Sequence, residues 1–213
     1  MTNMPYFDRT TAPAPGGPLL VALHGTGGDE HQFFDMARTL MPGAGVISPR
    51  GDVLEGHAAR FFRRTAEGVY DMDDLARATA KMAGYVHGFK SKYPGAPVFG
   101  FGYSNGANIL AATLFAHPGV FDRAALLHPL VPWRPAPVDL AGTDILVTAG
   151  RRDPIGPWPM TQALLGTLRH MGAHVTTEIH DGGHELRQTE FDRLGAWLRA
   201  KTPAASLATG GTP

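Results

Sequence analysis

At 213 residues the chain is long enough for one α/β domain with a sizeable core. Nineteen basic and nineteen acidic residues cancel, which argues against nucleic acid or an anionic membrane as a partner. With no cysteine, disulfides, thiolate metal sites and a cysteine nucleophile are excluded.

Residues Met1 to Thr10 lack the basic-then-apolar layout of a signal peptide, and the longest strongly apolar runs are too short to span a bilayer. A cytoplasmic protein without membrane insertion is the expectation. Met4 to Phe7 reads as a short edge strand, and Thr11 to Pro18 as a Pro- and Gly-rich turn. Leu19 to Leu23 is continuously apolar, as a strand buried on both faces should be. It runs into His24-Gly25-Thr26-Gly27-Gly28-Asp29-Glu30, where glycines let the backbone turn and leave N–H groups uncovered. A helix with Phe33, Phe34, Ala37 and Leu40 on one face follows, then a strand over Gly45 to Ser48. Pro49 to Gly68 is the longest irregular stretch and holds Arg60-Phe61-Phe62-Arg63-Arg64. It reads either as a surface loop with its aromatics tucked under or as a pocket wall.

Asp71 to Asp74 opens a helix whose Leu75, Ala78, Met82, Tyr85, Val86 and Phe89 share a face. Pro97 to Phe101 is a short buried strand that leads into Gly102-Tyr103-Ser104-Asn105-Gly106, followed by an apolar helix over Ala107 to Ala116. Four serines and 27 glycines would produce about 0.06 Gly-x-Ser-x-Gly matches by chance, before the strand and helix are demanded. Arg123 to His128 and Asp144 to Ala149 are strands, separated by an irregular Pro129 to Gly142. Gln162 to Met171 is a helix with Ala163, Leu164, Thr167 and Leu168 inward. Val175 to His180 is the last strand, and Phe191, Leu194, Trp197 and Leu198 mark the last helix. Residues 1–200 make the domain, and Lys201 to Pro213 reads as a disordered tail. Alternation of strands and helices predicts a doubly wound, mostly parallel sheet, with ligands at the carboxyl ends of its strands.

A serine hydroxyl needs a base within hydrogen-bond reach, and the base needs an orienting carboxylate. The glycines flanking Ser104 suit a strained strand-to-helix elbow that presents the hydroxyl. The expected chain order is Ser, acid, His, which points to Asp153 and His184, each just past a strand end. Asp122 and Asp144 precede strands and should face the opposite edge, and Asp181 looks like a turn residue. His117, His170 and His174 fall at helix ends or before strands; His128 lies at the right edge and is the runner-up base. The oxyanion donors are expected from the backbone N–H groups of Thr26 and Asn105, so the Asn105 side chain need not matter. His24 is expected to pin its loop. A metal set of His24, His31 and Asp29 matches no ligand spacing, so no metal and no cofactor are expected.

The motifs His24 to Glu30, Gly102 to Asn108, Gly150-Arg151-Arg152-Asp153-Pro154 and Gly182-Gly183-His184 together resemble the phospholipase/carboxylesterase family of α/β-hydrolases. Arg60 to Arg64 resembles its short bacterial carboxylesterase branch, sometimes linked to quinone stress. The resemblance covers residues 19–200. It implies the α/β-hydrolase fold, a Ser104–Asp153–His184 triad and a ping-pong acyl-enzyme route. Many family members carry Gln where this chain has Asn105, which bears on the acyl substrate rather than on the mechanism. The expectation is a cap-free serine carboxylesterase for short- to medium-chain acyl esters. Its shallow pocket would be lined by Phe61, Phe62, Tyr103, Leu130, Trp133 or Trp158. An acyl-thioesterase, a lysophospholipase or a non-catalytic binder on the same fold stands beside it. The expected partner is a small ester; a homodimer is compatible with the sequence.

Overall fold

The computed structural model describes residues 6–200. In chain order the elements are β1 (Asp8–Thr10), β2 (Leu19–Leu23), α1 (Phe34–Leu40), β3 (Gly45–Pro49), β4 (Val53–Glu55), β5 (Ala58–Arg60), β6 (Arg64–Ala66) and β7 (Val69–Tyr70). They continue as α2 (Met72–Lys92), β8 (Val98–Tyr103), α3 (Asn105–Ala116), β9 (Arg123–Leu127), β10 (Asp144–Gly150), α4 (Trp158–His170), β11 (His174–His180) and α5 (Gln188–Arg199).

Seven strands form the central sheet in the order β1-β3-β2-β8-β9-β10-β11. All pairs are parallel except β1 with β3. β2 and β9 are buried along their whole length, as central parallel strands must be, and apolar throughout except for Arg123 at the start of β9. Alternate residues feed two cores. Leu19, Val21 and Leu23 join one with Leu75, Met82, Ile109 and Leu168, from α2, α3 and α4. Leu20 and Ala22 join the other with Phe34, Ala37, Leu194 and Leu198, from α1 and α5. The registers Leu23↔Gly102, Tyr103↔Leu127 and Thr148↔Leu127 bring the carboxyl ends of β2, β8, β9 and β10 to one rim. β2 leads outward to β3 while β8 leads the other way to β9, so the strand order reverses between β2 and β8, where such sheets bind ligands.

Several elements differ from the sequence expectation. The edge strand is Asp8–Thr10; Tyr6 and Phe7 precede it, and Met4 and Pro5 lie outside the described residues. Asp8–Thr10 pairs because it lies against Pro49, Ser48 and Ile47. The stretch after Pro49 is not irregular: it folds into two small antiparallel hairpins, β4-β5 and β6-β7. α4 begins at Trp158 rather than Gln162, because Pro159 in the first turn needs no N–H partner there. Its inward stripe is Thr161, Leu164, Leu165 and Leu168; Ala163 is exposed. The tail expected over 201–213 lies outside the described residues. No helix among the described residues is long and apolar enough to cross a membrane.

Candidate active site

β8 ends at Tyr103 and α3 starts at Asn105, leaving Ser104 alone in the turn with φ 52° and ψ −115°. A non-glycine residue is held there only when its surroundings over-determine it. The flanking glycines are a packing necessity. A Cβ on Gly102 would lie 2.4 Å from the carbonyl of Gly106, and one on Gly106 would lie 2.3 Å from the Leu23 carbonyl oxygen. The elbow is thus pressed against the end of β2, and Ser104 faces a cavity of about 280 Å³.

Ser104, His184 and Asp153 converge from separate loops. The Ser104 hydroxyl lies 2.9 Å from His184 Nε2, and His184 Nδ1 lies 2.7 Å from Asp153 Oδ2. Asp153 Oδ1 accepts the N–H groups of Ile155 and Gly156 at 2.8 and 2.9 Å. Burial alone would raise the Asp153 carboxyl, but hydrogen bonds from His128, His184, Gly156 and Ile155 bring it well below the carboxylate range. It is therefore an anion whenever the protein is folded near neutrality. The phenol of Tyr103 donates to the His184 carbonyl at 2.7 Å, which anchors the loop that carries the imidazole. Burial, with Asp153 next, pushes that phenol up to about 12, so it stays a donor.

Thr26 and Asn105, the expected oxyanion donors, line the same cavity as Ser104 and His184. Their loops are braced by groups that sequence reasoning did not connect. Arg60 Nη1 donates to Thr26 Oγ1 at 2.6 Å, and the Phe61 N–H donates to Asn105 Oδ1 at 2.8 Å. The Asn105 side chain therefore does matter: it ties the β5 segment to the elbow. His24 accepts the Gly51 N–H on Nε2 at 2.8 Å and donates from Nδ1 to the Gly25 carbonyl at 2.7 Å. Burial lowers its pKa, consistent with a neutral ring that pins two loops.

Of the six expected pocket residues, Tyr103 and Leu130 line the cavity. Phe61 and Phe62 do not: both are fully buried, Phe61 against His24 and Tyr6, Phe62 against Tyr70. Trp133 borders a different groove with Met72 and Phe115, and Trp158 carries the Arg151 guanidinium 4.7 Å above its ring. In their place the cavity is walled by Arg60, Arg64, Glu67, Tyr70, Asn108 and Ile155, a far more polar set. Arg64 pairs with Glu55 at 2.9 Å and with Glu67. Of these wall residues, Arg60 and Arg64 flank Phe61-Phe62 in the sequence, where their charge is a signal of a polar wall.

His128, the runner-up base, borders the same cavity as Ser104 but is bonded to Asp153 and Glu190 rather than to the serine. Its Nδ1 lies 3.0 Å from Asp153 Oδ2 and its Nε2 2.9 Å from Glu190 Oε1. Two groups hold potential ligand atoms within 4.8 Å of one another, His128–Asp153–His184 and His128–His180–Glu190. Hydrogen bonds of His128 and His184 to Asp153, and of His128 to Glu190, account for these approaches.

No family model matches the chain. It is 37% identical over 184 residues to MhqD of Bacillus subtilis, which carries a provisional hydrolase name, covering 85% of this chain and 92% of that protein. The crystal structure of a Bacillus cereus carboxylesterase superposes with TM-score 0.84 at 35% identity, covering 89% of this chain and 91% of that one. Atu2452 of Agrobacterium tumefaciens, a protein of unknown function, superposes with TM-score 0.89 at 51% identity over 93% and 98% of the two chains. With the parallel sheet, the serine elbow and these relatives together, the chain belongs to the phospholipase/carboxylesterase family of α/β-hydrolases and is an esterase-type hydrolase.

Proposed function

We propose that the chain hydrolyses short- to medium-chain acyl esters through an acyl-enzyme formed on Ser104. The observation that carries this is the unbroken line from Ser104 Oγ to His184 Nε2 at 2.9 Å and from His184 Nδ1 to Asp153 Oδ2 at 2.7 Å. In this reading His184 takes the Ser104 proton as Oγ attacks the ester carbonyl. The N–H groups of Thr26 and Asn105 receive the oxyanion. The proton on His184 passes to the leaving alcohol, and the alcohol departs. Water then repeats the sequence: it gives a proton to His184, attacks the acyl carbonyl, and Ser104 recovers the proton as the acid leaves. Asp153 stays ionised throughout and stabilises the imidazolium.

A cavity of about 280 Å³ suits a small substrate. Arg60, Glu67 and Asn108 on its wall favour an acyl or alcohol part with polar atoms. The test is labelling by a fluorophosphonate probe together with turnover of nitrophenyl acetate and butyrate, set beside a thioester series. Labelling of the native protein and its loss in Ser104→Ala, with a fall of at least about 10³-fold in kcat, is the expected result. An unlabelled native protein would point to a binding role, and a Ser104→Ala variant with full esterase activity would sink the mechanism. Faster thioester than ester turnover would reassign the substrate class without touching the residues.

A further inference from the structure

Behind the triad lies a second set of charges that the esterase reaction does not use directly. Asp153 Oδ2 is shared by two imidazoles, His184 Nδ1 at 2.7 Å and His128 Nδ1 at 3.0 Å. The other nitrogen of His128 faces Glu190 Oε1 at 2.9 Å. Glu190 is fully buried, and its second oxygen accepts the Arg187 N–H at 2.8 Å. That oxygen also stands 3.2 Å from His180 Nε2. The tautomer of His180 follows from its other side: Nδ1 accepts the Gly182 N–H at 2.9 Å, so Nε2 is the protonated nitrogen, close to Glu190 but not hydrogen-bonded to it. Burial would raise the Glu190 carboxyl, but its hydrogen bonds with His128 and with the Arg187 N–H hold it below the ordinary value, so it meets His128 as a carboxylate. Both nitrogens of His128 meet acceptors, so both carry hydrogen. An imidazolium between two carboxylates leaves the buried set with one net negative charge, the charge Asp153 needs.

We propose that His128 is a positioning residue of this esterase: a buried imidazolium clamped between Asp153 and Glu190 that fixes the Asp153 carboxylate and draws part of its charge away from His184. This rests on the triad reading given above. The fold commits to the placement, since His128 sits just past β9 with φ 51°, its N–H bonded to the Thr148 carbonyl at 2.9 Å. A non-glycine residue at that angle is strained, and the two ion pairs supply the compensating interactions. Burial would lower the His128 pKa, but the Asp153 and Glu190 carboxylates overcome it and raise it to about 9.

The consequence has a sign. Asp153 stabilises the imidazolium that forms on His184 during the reaction, and a cation on the same Asp153 oxygen weakens that stabilisation. The charged or titratable groups facing this pair are Asp153 from the loop after β10, His180 on β11, Glu190 on α5, Tyr103 at the end of β8, and Glu185 beside His184. The His128 and His184 rings are 5.3 Å apart, close enough for the charge to be felt directly.

His128→Asn keeps a donor where Nδ1 stood but removes the charge, whereas Glu190→Gln removes the opposite charge. The experiment is the pH dependence of kcat/KM for nitrophenyl acetate in the native protein and both variants, with Ser104→Ala alongside. The acid limb reports protonation of the base. It is expected to move up by about one pH unit in His128→Asn and down in Glu190→Gln. Nitrogen-15 NMR of the native imidazoles is expected to show both His128 nitrogens protonated at pH 7. A bare His128 nitrogen at that pH, or an acid limb unmoved in whichever variant folds, overturns the proposal even if kcat falls. If Ser104→Ala is inactive while the limb stays fixed, the triad stands and the positioning role fails. If Ser104→Ala keeps its activity, both fall together.

Discussion

Gly150→Ala is a change of one methyl group that should disable the site without altering any of its side chains. Gly150 ends β10, where the chain turns toward Asp153. There it meets the loop that carries His184: Arg151 N–H donates to the His180 carbonyl at 2.8 Å and Arg152 N–H to the Gly182 carbonyl at 2.9 Å. A Cβ on Gly150 would lie 2.1 Å from the Gly183 carbonyl oxygen and 2.5 Å from that of Gly182. Both obstacles are backbone, so no side chain can swing aside. Restoring the 3.0 Å that real Cβ contacts observe demands a separation of about 0.9 Å between the Asp153 and His184 loops. Overpacking of this kind costs about 1–3 kcal/mol. A displacement of about 1 Å in a hydrogen-bonded catalytic pair costs about 10²-fold in rate. The assay is kcat/KM for nitrophenyl acetate beside a thermal melt. A drop of about two orders of magnitude with a melting temperature lower by a few degrees is expected. Full activity with an unchanged melt would refute the claim that these two loops are held at contact distance. A large stability loss with normal activity in the folded fraction would show that the loops part without disturbing the pair.

Other predictions bear on the supports of the site. Asn105→Ala leaves the backbone N–H at 105 in place but strips the buried Phe61 N–H of its acceptor. It should cost about 1–3 kcal/mol in urea denaturation and less than about tenfold in kcat/KM. A loss as deep as that of Ser104→Ala would mean that the amide itself acts on substrate. Asp74 is buried and accepts the Arg63 N–H at 2.7 Å and Arg77 Nε at 2.7 Å, which ties the start of α2 to the segment after Phe62. Burial would raise its carboxyl, but Arg77 and the Arg63 N–H carry it below the ordinary value. A carboxyl with a depressed folded value contributes its full stability above the unfolded value, about 3.9, and loses it as pH falls toward the folded one. Asp74→Asn should therefore lower stability at pH 7 and flatten the decline below about pH 4, read from denaturation curves across pH. A parallel decline in variant and native protein would remove Asp74 from the acid response.

The strands were legible because burial on both faces leaves a continuous apolar run, and Leu19 to Leu23 could be little else. The rim was legible for a related reason: parallel strands with crossover helices place every strand end on one side. Ser104, Asp153 and His184 could then be sorted from Asp122 and Asp144 by which end of a strand each occupied. In the structure Asp122 accepts the Val98 N–H and Asp144 pairs with Arg123, both at the opposite edge. The hairpins between Val53 and Tyr70 were not legible. Strands of two or three residues, with Glu, Arg and Gly among them, carry no period to read. For Phe61 and Phe62 the sequence allowed either a pocket wall or aromatics tucked under a loop, and the tucked-under arrangement is the one found. Their burial follows from Asn105 and Arg60, which draw the segment inward against the elbow.

His128 marks where local rules end. Its partners are 25 and 62 residues away, in the loop after β10 and on α5, and no spacing connects them. What a sequence does disclose is a histidine at the correct rim with no task in a three-residue mechanism. Such a residue has either to face solvent or to find hydrogen-bond partners inside, since an imidazole cannot be buried unsatisfied without a cost of about 1–3 kcal/mol per group. His128 is 1% exposed, so the second course is the one taken, and a carboxylate within reach is the one that orients His184. Burying that second histidine as a cation then requires a second acid, because two buried positive rings against one Asp153 would leave excess charge during the reaction. Glu190 on α5 meets that requirement, and its own hydrogen bond to Arg187 fixes it to the start of the helix. On the proposed reading the last helix therefore does more than cover the sheet: through Glu190 it supplies the second acid that holds His128 against Asp153.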